Sequence, residues 1–325
     1  MTLHSPFMKL LRHPVSAVLL ALTCHAAAEV PVATAKLDEA ARKVTVELGG
    51  SLFTELIYGG HMKPVLFPII GPGGNKMVRQ WPMRDAVPGE EKDHPHHRGL
   101  WFAHGSVNGT DFWTETPKAG KVIVQGVPEI LSGPGTVTLK TRESWQKPEG
   151  GEVMTSATTL ICGVDGGDRY IDYSITMSAG SGDVLFGDTK EGTMAIRVNP
   201  LLNFKGSVAK GTATTSEGKT GAAAWGTHAK WVDYTAPMEG GVTGVACFDH
   251  PSNLRHPTTW HARDYGLLAA NPFGLHDFEK KPKGTGDHLV KKGESLTLRY
   301  RWLFHTGDTA AAKIEDRWQA WAAAR

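Results

Sequence analysis

The sequence predicts an all-β protein, a large antiparallel β-sandwich closed by a C-terminal helix. Three observations predict it. Apolar and polar residues alternate at period two over most of the chain, the alternation of half-buried strands. The alternating runs are separated by Gly-, Pro- and Asp-rich clusters, the residues that turns demand. Helical spacing of apolar residues is convincing only in the last segment.

The strands follow in order. KVTVEL (43–48), KVIVQGV (121–127), TVTLKTRESW (136–145), RYIDYSITM (169–177), TMAIRV (193–198) and SLTLRYRWLF (295–304) each alternate. An apolar run at 242–248 reads as a further, buried strand. GPGG (71–74), KPEGGE (147–152), DGGD (165–168) and SAGSGD (178–183) supply turns between them. Strands with one apolar face must bury it against another layer, which gives the sandwich. Residues 205–227 lose the period and predict a long loop or ragged hairpin. The segment 309–324 is alanine-rich and places Ile314, Trp318 and Trp321 on one helical stripe that packs on the sandwich.

Residues 1–28 stand apart. Lys9 and Arg12 precede an apolar run at 15–22, and Ala26, Ala27 and Ala28 follow it, the layout of a signal peptide. The apolar run falls short of the ~20 residues of a membrane helix, and no later segment approaches that length. The expectation is an exported protein, periplasmic or secreted, with one domain over 29–325 and no integral membrane segment after cleavage. Loss of Lys9 and Arg12 takes the charge balance from 35 basic and 33 acidic residues to 33 of each. A neutral chain lacks the basic field of nucleic-acid binding. Cys162 and Cys247 remain, both in strand-like runs, as a disulfide or as buried thiols.

Polar clusters mark the candidate site. DHPHHRGLWFAHG (93–105) holds His94, His96, His97 and Arg98 beside Trp101. Pro95 disfavours helix at His94, and on an extended chain His94 and His96 would share one face with His97 opposite. His94 and His96 would then form half of a zinc or copper site, with His104 too far along a straight strand to complete it. DTKEGTMAIRVNP (188–200) contributes Glu191, a candidate base, and Arg197, which needs an anionic or carbonyl partner. On a straight strand these two would lie about 20 Å apart, too far for an ion pair. DHPSNLRHPTTWHARDYG (249–266) adds His250, Asn253, His256 and Trp260 after a buried strand, where loops carry sites. NPFGLHDF (271–278) adds Asn271 and His276.

These segments, together with KPVLFPIIGPGG (63–74), resemble the PmoA-like family of exported bacterial proteins, over roughly 50–305. That family has no established function and was once labelled as a methane oxygenase. A membrane methane monooxygenase subunit spans the bilayer, and this chain has no such span, so methane oxidation is not expected. At the level of fold the strand pattern and the late NPFG loop are similar to the galactose mutarotase-like supersandwich, in which histidines and a carboxylate work on a sugar.

The expectation is therefore a carbohydrate-active protein with a small-molecule saccharide or glycan as partner and no required cofactor. Glu191 would be the base, His96, His97 or His256 the acid, in epimerisation, hydrolysis or elimination. Arg98, Trp101, Arg197, His250, Asn253, Trp260, Asn271 and His276 would bind substrate. The alternatives are a non-catalytic sugar-binding module and a metalloprotein built on His94 and His96.

Overall fold

The period-two runs become ladders. A computed structural model describes residues 1–4 and 32–324, so the expected signal segment lies almost wholly outside the described residues. Pro31–Arg325 forms one compact unit. Its first elements are β1 (Ala33–Asp38), β2 (Lys43–Leu48), β3 (Ser51–Ile57), β4 (Val65–Ile69), β5 (Leu100–His104), β6 (Lys121–Val124), β7 (Glu129–Gly133), β8 (Thr136–Gln146), β9 (Glu152–Asp165) and β10 (Asp168–Ser178). They continue as β11 (Val184–Phe186), β12 (Gly192–Arg197), β13 (Thr212–Thr215), β14 (Trp231–Met238), β15 (Gly241–Asp249), β16 (Thr259–Ala262) and β17 (Leu267–Asn271). The last are α1 (Leu275–Glu279), β18 (His288–Val290), β19 (Ser295–Thr306) and α2 (Ile314–Ala323).

Two large antiparallel sheets face each other. The first runs β1-β2-β3-β4-β5-β12-β17-β16, and the second β13-β14-β15-β19-β10-β9-β8-β6, with β7 also on β8. A ribbon of β11 and β18 stands beside them. Inner-face residues of both sheets share one core, and Phe53 of β3 meets Phe304 of β19 edge-on at 6.0 Å. Phe102 of β5 likewise packs on Trp145 of β8 and Tyr173 of β10. The fold class is the one predicted.

Several boundaries differ. KVIVQGV pairs only as far as Val124. Within 205–227 the chain forms β13 and a 3-10 turn at Gly221–Ala224. The C-terminal helix begins at Ile314 rather than 309, because Lys313 adopts φ +51, outside the right-handed helix, and the preceding residues form a turn. Thr309, the first residue of that turn, donates to buried Asp233. Ile314, Trp318 and Trp321 do pack on the second sheet, against Trp231, Phe248 and Leu303. Cys162 and Cys247 are both buried free thiols.

The centre of the first sheet is covered on both faces. All six residues of β12 and all five of β5 and β17 are buried. Leu100, Phe102, Met194, Ile196 and Leu268 enter the main core. Trp101, Ala103, Ala195, Leu267 and Ala269 alternate with them and form a second cluster on the outer face, with Trp113. The outer cluster carries the site.

Candidate functional site

One cross-strand row builds the floor. Trp101 is opposite Ala195, Ala195 opposite Ala269, and Ala269 opposite His261. Residues opposite one another in a ladder share a face. Two alanines between a tryptophan and a histidine leave room above the sheet, and rings from the preceding loops settle beside them.

The His94 loop enters that room as a turn. The His97 amide donates to the His94 carbonyl at 3.0 Å, and His94 has φ +46. Gly99 then turns the chain into β5 at φ +61, where a Cβ would lie 2.2 Å from the Leu66 carbonyl oxygen. The expected division of the cluster into a His94/His96 face and a His97 face is therefore corrected. A turn, unlike an extended strand, brings successive side chains together. His94 stacks on His97 at 4.7 Å, and His96 meets His97 edge-on at 4.5 Å. The stack continues from His94 to Tyr265 and from His97 to Trp101.

Two arginines hold the turn. Arg79 donates to the carbonyls of Glu91, Asp93 and His94 and to the Asp93 carboxylate. Arg197 donates to the same Asp93 oxygen at 2.8 Å and to Nδ1 of His97 at 3.1 Å. Arg197 thus finds its anionic partner in Asp93. Burial alone would raise the Asp93 carboxyl, but its hydrogen bond to His94 and the Arg197 and Arg79 charges hold it well below the carboxylate range.

The cleft above has a volume of about 400 Å³ and is lined by His96, His97, Glu191, His261, Arg263 and Tyr265, among others. Three of its histidines, His96, His97 and His261, are held below the ordinary imidazole value. Burial pushes His97 well below 6.5, with His96 and Arg197 adding to it. Burial takes His261 down to about 3 and His96 to about 4, assisted by Arg263 and Lys63 respectively.

Their tautomers are opposed. A guanidinium only donates, so Nδ1 of His97 accepts from Arg197 and the ring proton sits on Nε2. That buried Nε2 has no partner among the described residues. His261 faces the backbone carbonyl of Lys190 at 3.0 Å, so its Nδ1 carries the proton and its Nε2 keeps a lone pair. The wall of the cleft therefore carries one fixed imidazole donor, buried at Nε2 of His97, and one fixed imidazole acceptor at His261.

The predicted residues divide as follows. His96, His97 and Glu191 line the cleft, and Arg197 and Trp101 lie beneath His97. Asn271 is buried and ties down the Thr189 carbonyl, positioning the segment that carries Glu191. The other assignments are corrected. Arg98 turns to Glu115, which also takes buried Lys63. Trp260 points to the inner core, where its indole N–H donates to Ala229. His104 is on that same inner side, bonded to the Gly187 carbonyl. His276 is on α1, bonded to the Lys281 carbonyl.

His250, Asn253 and His256 leave the cleft together. The buried Asp249 carboxylate takes Nδ1 of His256 at 2.7 Å and the side-chain amide of Asn253. His250 and His256 lie against Trp321 and Trp318 of α2, on the second sheet. A single buried carboxylate at the end of β15 gathers this loop into a structural knot. Among the described residues no group of three or more His, Cys, Asp or Glu side chains is arranged to hold a metal ion.

The sequence reading missed His261, Tyr265, Arg263 and Asp93 as site residues. For His261 a signal existed. In TWHA (259–262) it alternates with Trp260 and Ala262, so it must face away from the core that they enter.

These features describe an antiparallel β-sandwich with a histidine-lined cleft on the outer face of one sheet. The chain belongs to DUF6807, a family of unknown function, whose model matches residues 43–319. No curated protein matches it. Among solved structures it is similar to the galactosidase domain of alpha-galactosidase-sucrose kinase AgaSK, at 9% identity and TM-score 0.38, over 84% of this chain and 42% of that one. It is also similar to 4-alpha-glucanotransferase from Thermococcus litoralis, at 10% identity and TM-score 0.31, over 85% and 40% of the two chains. The alpha-galactosidase from Lactobacillus brevis matches at 10% identity and TM-score 0.32, over 78% of this chain and 38% of that one. The chain thus spans about two fifths of each solved chain, and superposition at this level bears on neither ligand nor reaction. Among the described residues no helix is long and apolar enough to cross a membrane.

Proposed function

We propose that the cleft binds a saccharide or sugar derivative and moves a proton on it, with His261 as base and His97 as the donor to the substrate oxygen. The observation that carries this reading is the opposed pair of neutral imidazoles, one offering Nε2–H and the other an Nε2 lone pair. A neutral imidazole donor polarises an oxygen without itself titrating at pH 7, and a neutral imidazole acceptor keeps its lone pair free there for a proton that the donor has acidified. Polar side chains beside aromatic edges in the cleft suit a sugar, whose rim is hydroxyls.

This arrangement favours epimerisation or elimination over hydrolysis. Most glycoside hydrolases use two carboxylates across the scissile bond. Glu191 is the one carboxylate among the described residues lining the cleft. Its role in this reading is a second base or a proton relay on the cleft wall. Kinship with the PmoA-like exported proteins, export through residues 1–28 and a single mature domain from 29 onward belong to the same proposal.

Calorimetric titration of the mature protein with sugars, sugar acids and short glycans tests the reading, followed by turnover assays on every binder. Binding with His261→Gln retained but turnover abolished supports the assigned role. A panel that yields no binder removes the saccharide reading, and full turnover by His261→Gln removes the base.

A further inference from the structure

Arg263 is held but not committed. Its guanidinium packs over the Tyr265 ring at 5.3 Å, and it makes no side-chain hydrogen bond or ion pair among the described residues. Its place is the junction of two cavities. It lines the histidine cleft and also a neighbouring cavity of about 270 Å³ bounded by Ala222, Trp225, Ala262 and Asp264.

The other cations at the cleft already have anionic neighbours. Arg79 and Arg197 both lean on Asp93, Lys190 lies 3.5 Å from Glu191, and Arg263 has no anion. Of the two lysine and arginine side chains lining the cleft among the described residues, Lys190 has a carboxylate neighbour and Arg263 has none. Buried Nε2 of His97 adds an unpartnered donor to the same cleft. A guanidinium with its fork free is matched by a carboxylate that accepts two parallel N–H bonds.

Beyond Arg263 the chemistry changes. Trp225 stands edge-on to Phe278 at 5.3 Å and forms one wall, and Asp264 supplies an acceptor. A tryptophan beside a carboxylate suits the face and hydroxyls of a second sugar ring, and the Asp264 charge disfavours a second acid group there.

Resting on the saccharide reading above, we infer that the ligand is an acidic oligosaccharide. Arg263 seats the carboxylate of a uronic acid unit in the histidine cleft, and the cavity at Trp225 holds the adjoining unit.

Calorimetric titration with galacturonate, glucuronate and mannuronate as monomers, and as dimers that join each uronate to one neutral sugar unit, tests it against the neutral disaccharides galactobiose, cellobiose and mannobiose. At least one acidic dimer should bind about tenfold or more tighter than both its neutral counterpart and its own monomer, the gain of charged hydrogen bonds and a second ring. Arg263→Gln should abolish the preference for acid, and Arg263→Lys should keep only part of it. Trp225→Ala should bring the dimer towards the affinity of the monomer. Equal binding of neutral and acidic sugars, or a dimer no tighter than its monomer, overturns the inference and leaves the saccharide cleft standing. If none of these sugars binds, the inference falls together with the reading of the cleft.

Discussion

Arg197 donates to Nδ1 of His97 across 3.1 Å, and that contact decides which nitrogen of His97 carries the ring proton. The same guanidinium holds Asp93, so one side chain of β12 sets both the position of the His94 turn and the tautomer of its inner histidine. A strand residue thereby controls a loop about a hundred positions earlier in the chain.

Replacing Arg197 should damage stability and ligand binding together. Arg197→Met leaves half-buried Asp93 to Arg79 alone and leaves the buried Nδ1 of His97 without its donor, a loss of about 1–3 kcal/mol by the measure of an unsatisfied buried polar group. Arg197→Lys keeps the charge but cannot fork to both partners, so it should fold better than the methionine variant and still bind ligand more weakly. Urea unfolding and calorimetric titration check the two effects separately.

The alanine row is expected to resist enlargement. Ala195 and Ala269 are fully buried between Trp101 and His261. Ala195→Leu should cost about 1–3 kcal/mol through overpacking. It should also displace the His97 stack and weaken ligand binding. An equal substitution at Ala246, beneath α2 on the other sheet, should lower stability and spare ligand affinity.

Gly99→Ala tests the turn that feeds β5. Its positive φ and the approach of the Leu66 carbonyl leave no place for a methyl group. The backbone strain alone is worth about 1–3 kcal/mol. Thermal unfolding should show a drop at least that large. A neutral outcome would mean that the chain enters β5 by another path.

Acid should destabilise the protein well before its carboxylates are all protonated. His261 is lowered to about 3 and His96 to about 4, against 6.5 for a free imidazole. Between those values and 6.5 the unfolded chain binds protons that the folded chain refuses, so stability rises with pH across that window. Going from pH 7 to pH 4, His261 alone should account for roughly 3 kcal/mol of loss. Asp93 acts in the same sense at lower pH, as protonation removes its bonds to the arginines. His305 opposes them, because Asp233 raises it in spite of its burial. Urea midpoints across pH 4–7 should converge between wild type and His261→Gln as the pH falls.

Much of the fold was legible because period-two alternation reports burial directly, as in β8 and β10. The site was legible only in pieces. His97, Glu191 and Arg197 stood out as polar residues beside strands, but the geometry of the His94 turn depends on Arg79 and Arg197, which no local rule connects to it. The Asp249 knot shows the opposite failure. His250, Asn253 and His256 have the composition of a site, yet a buried carboxylate and α2 absorb them as structure. His261 needed the register of β16 on β17 and β12 before its neighbours became visible.

Nitrogen-15 NMR of the imidazole rings at pH 7, assigned with His97→Gln and His261→Gln, tests the central claim most directly. The account predicts two neutral rings of opposite tautomer, His97 protonated on Nε2 and His261 on Nδ1. A charged ring at either position, or the same tautomer at both, would contradict it.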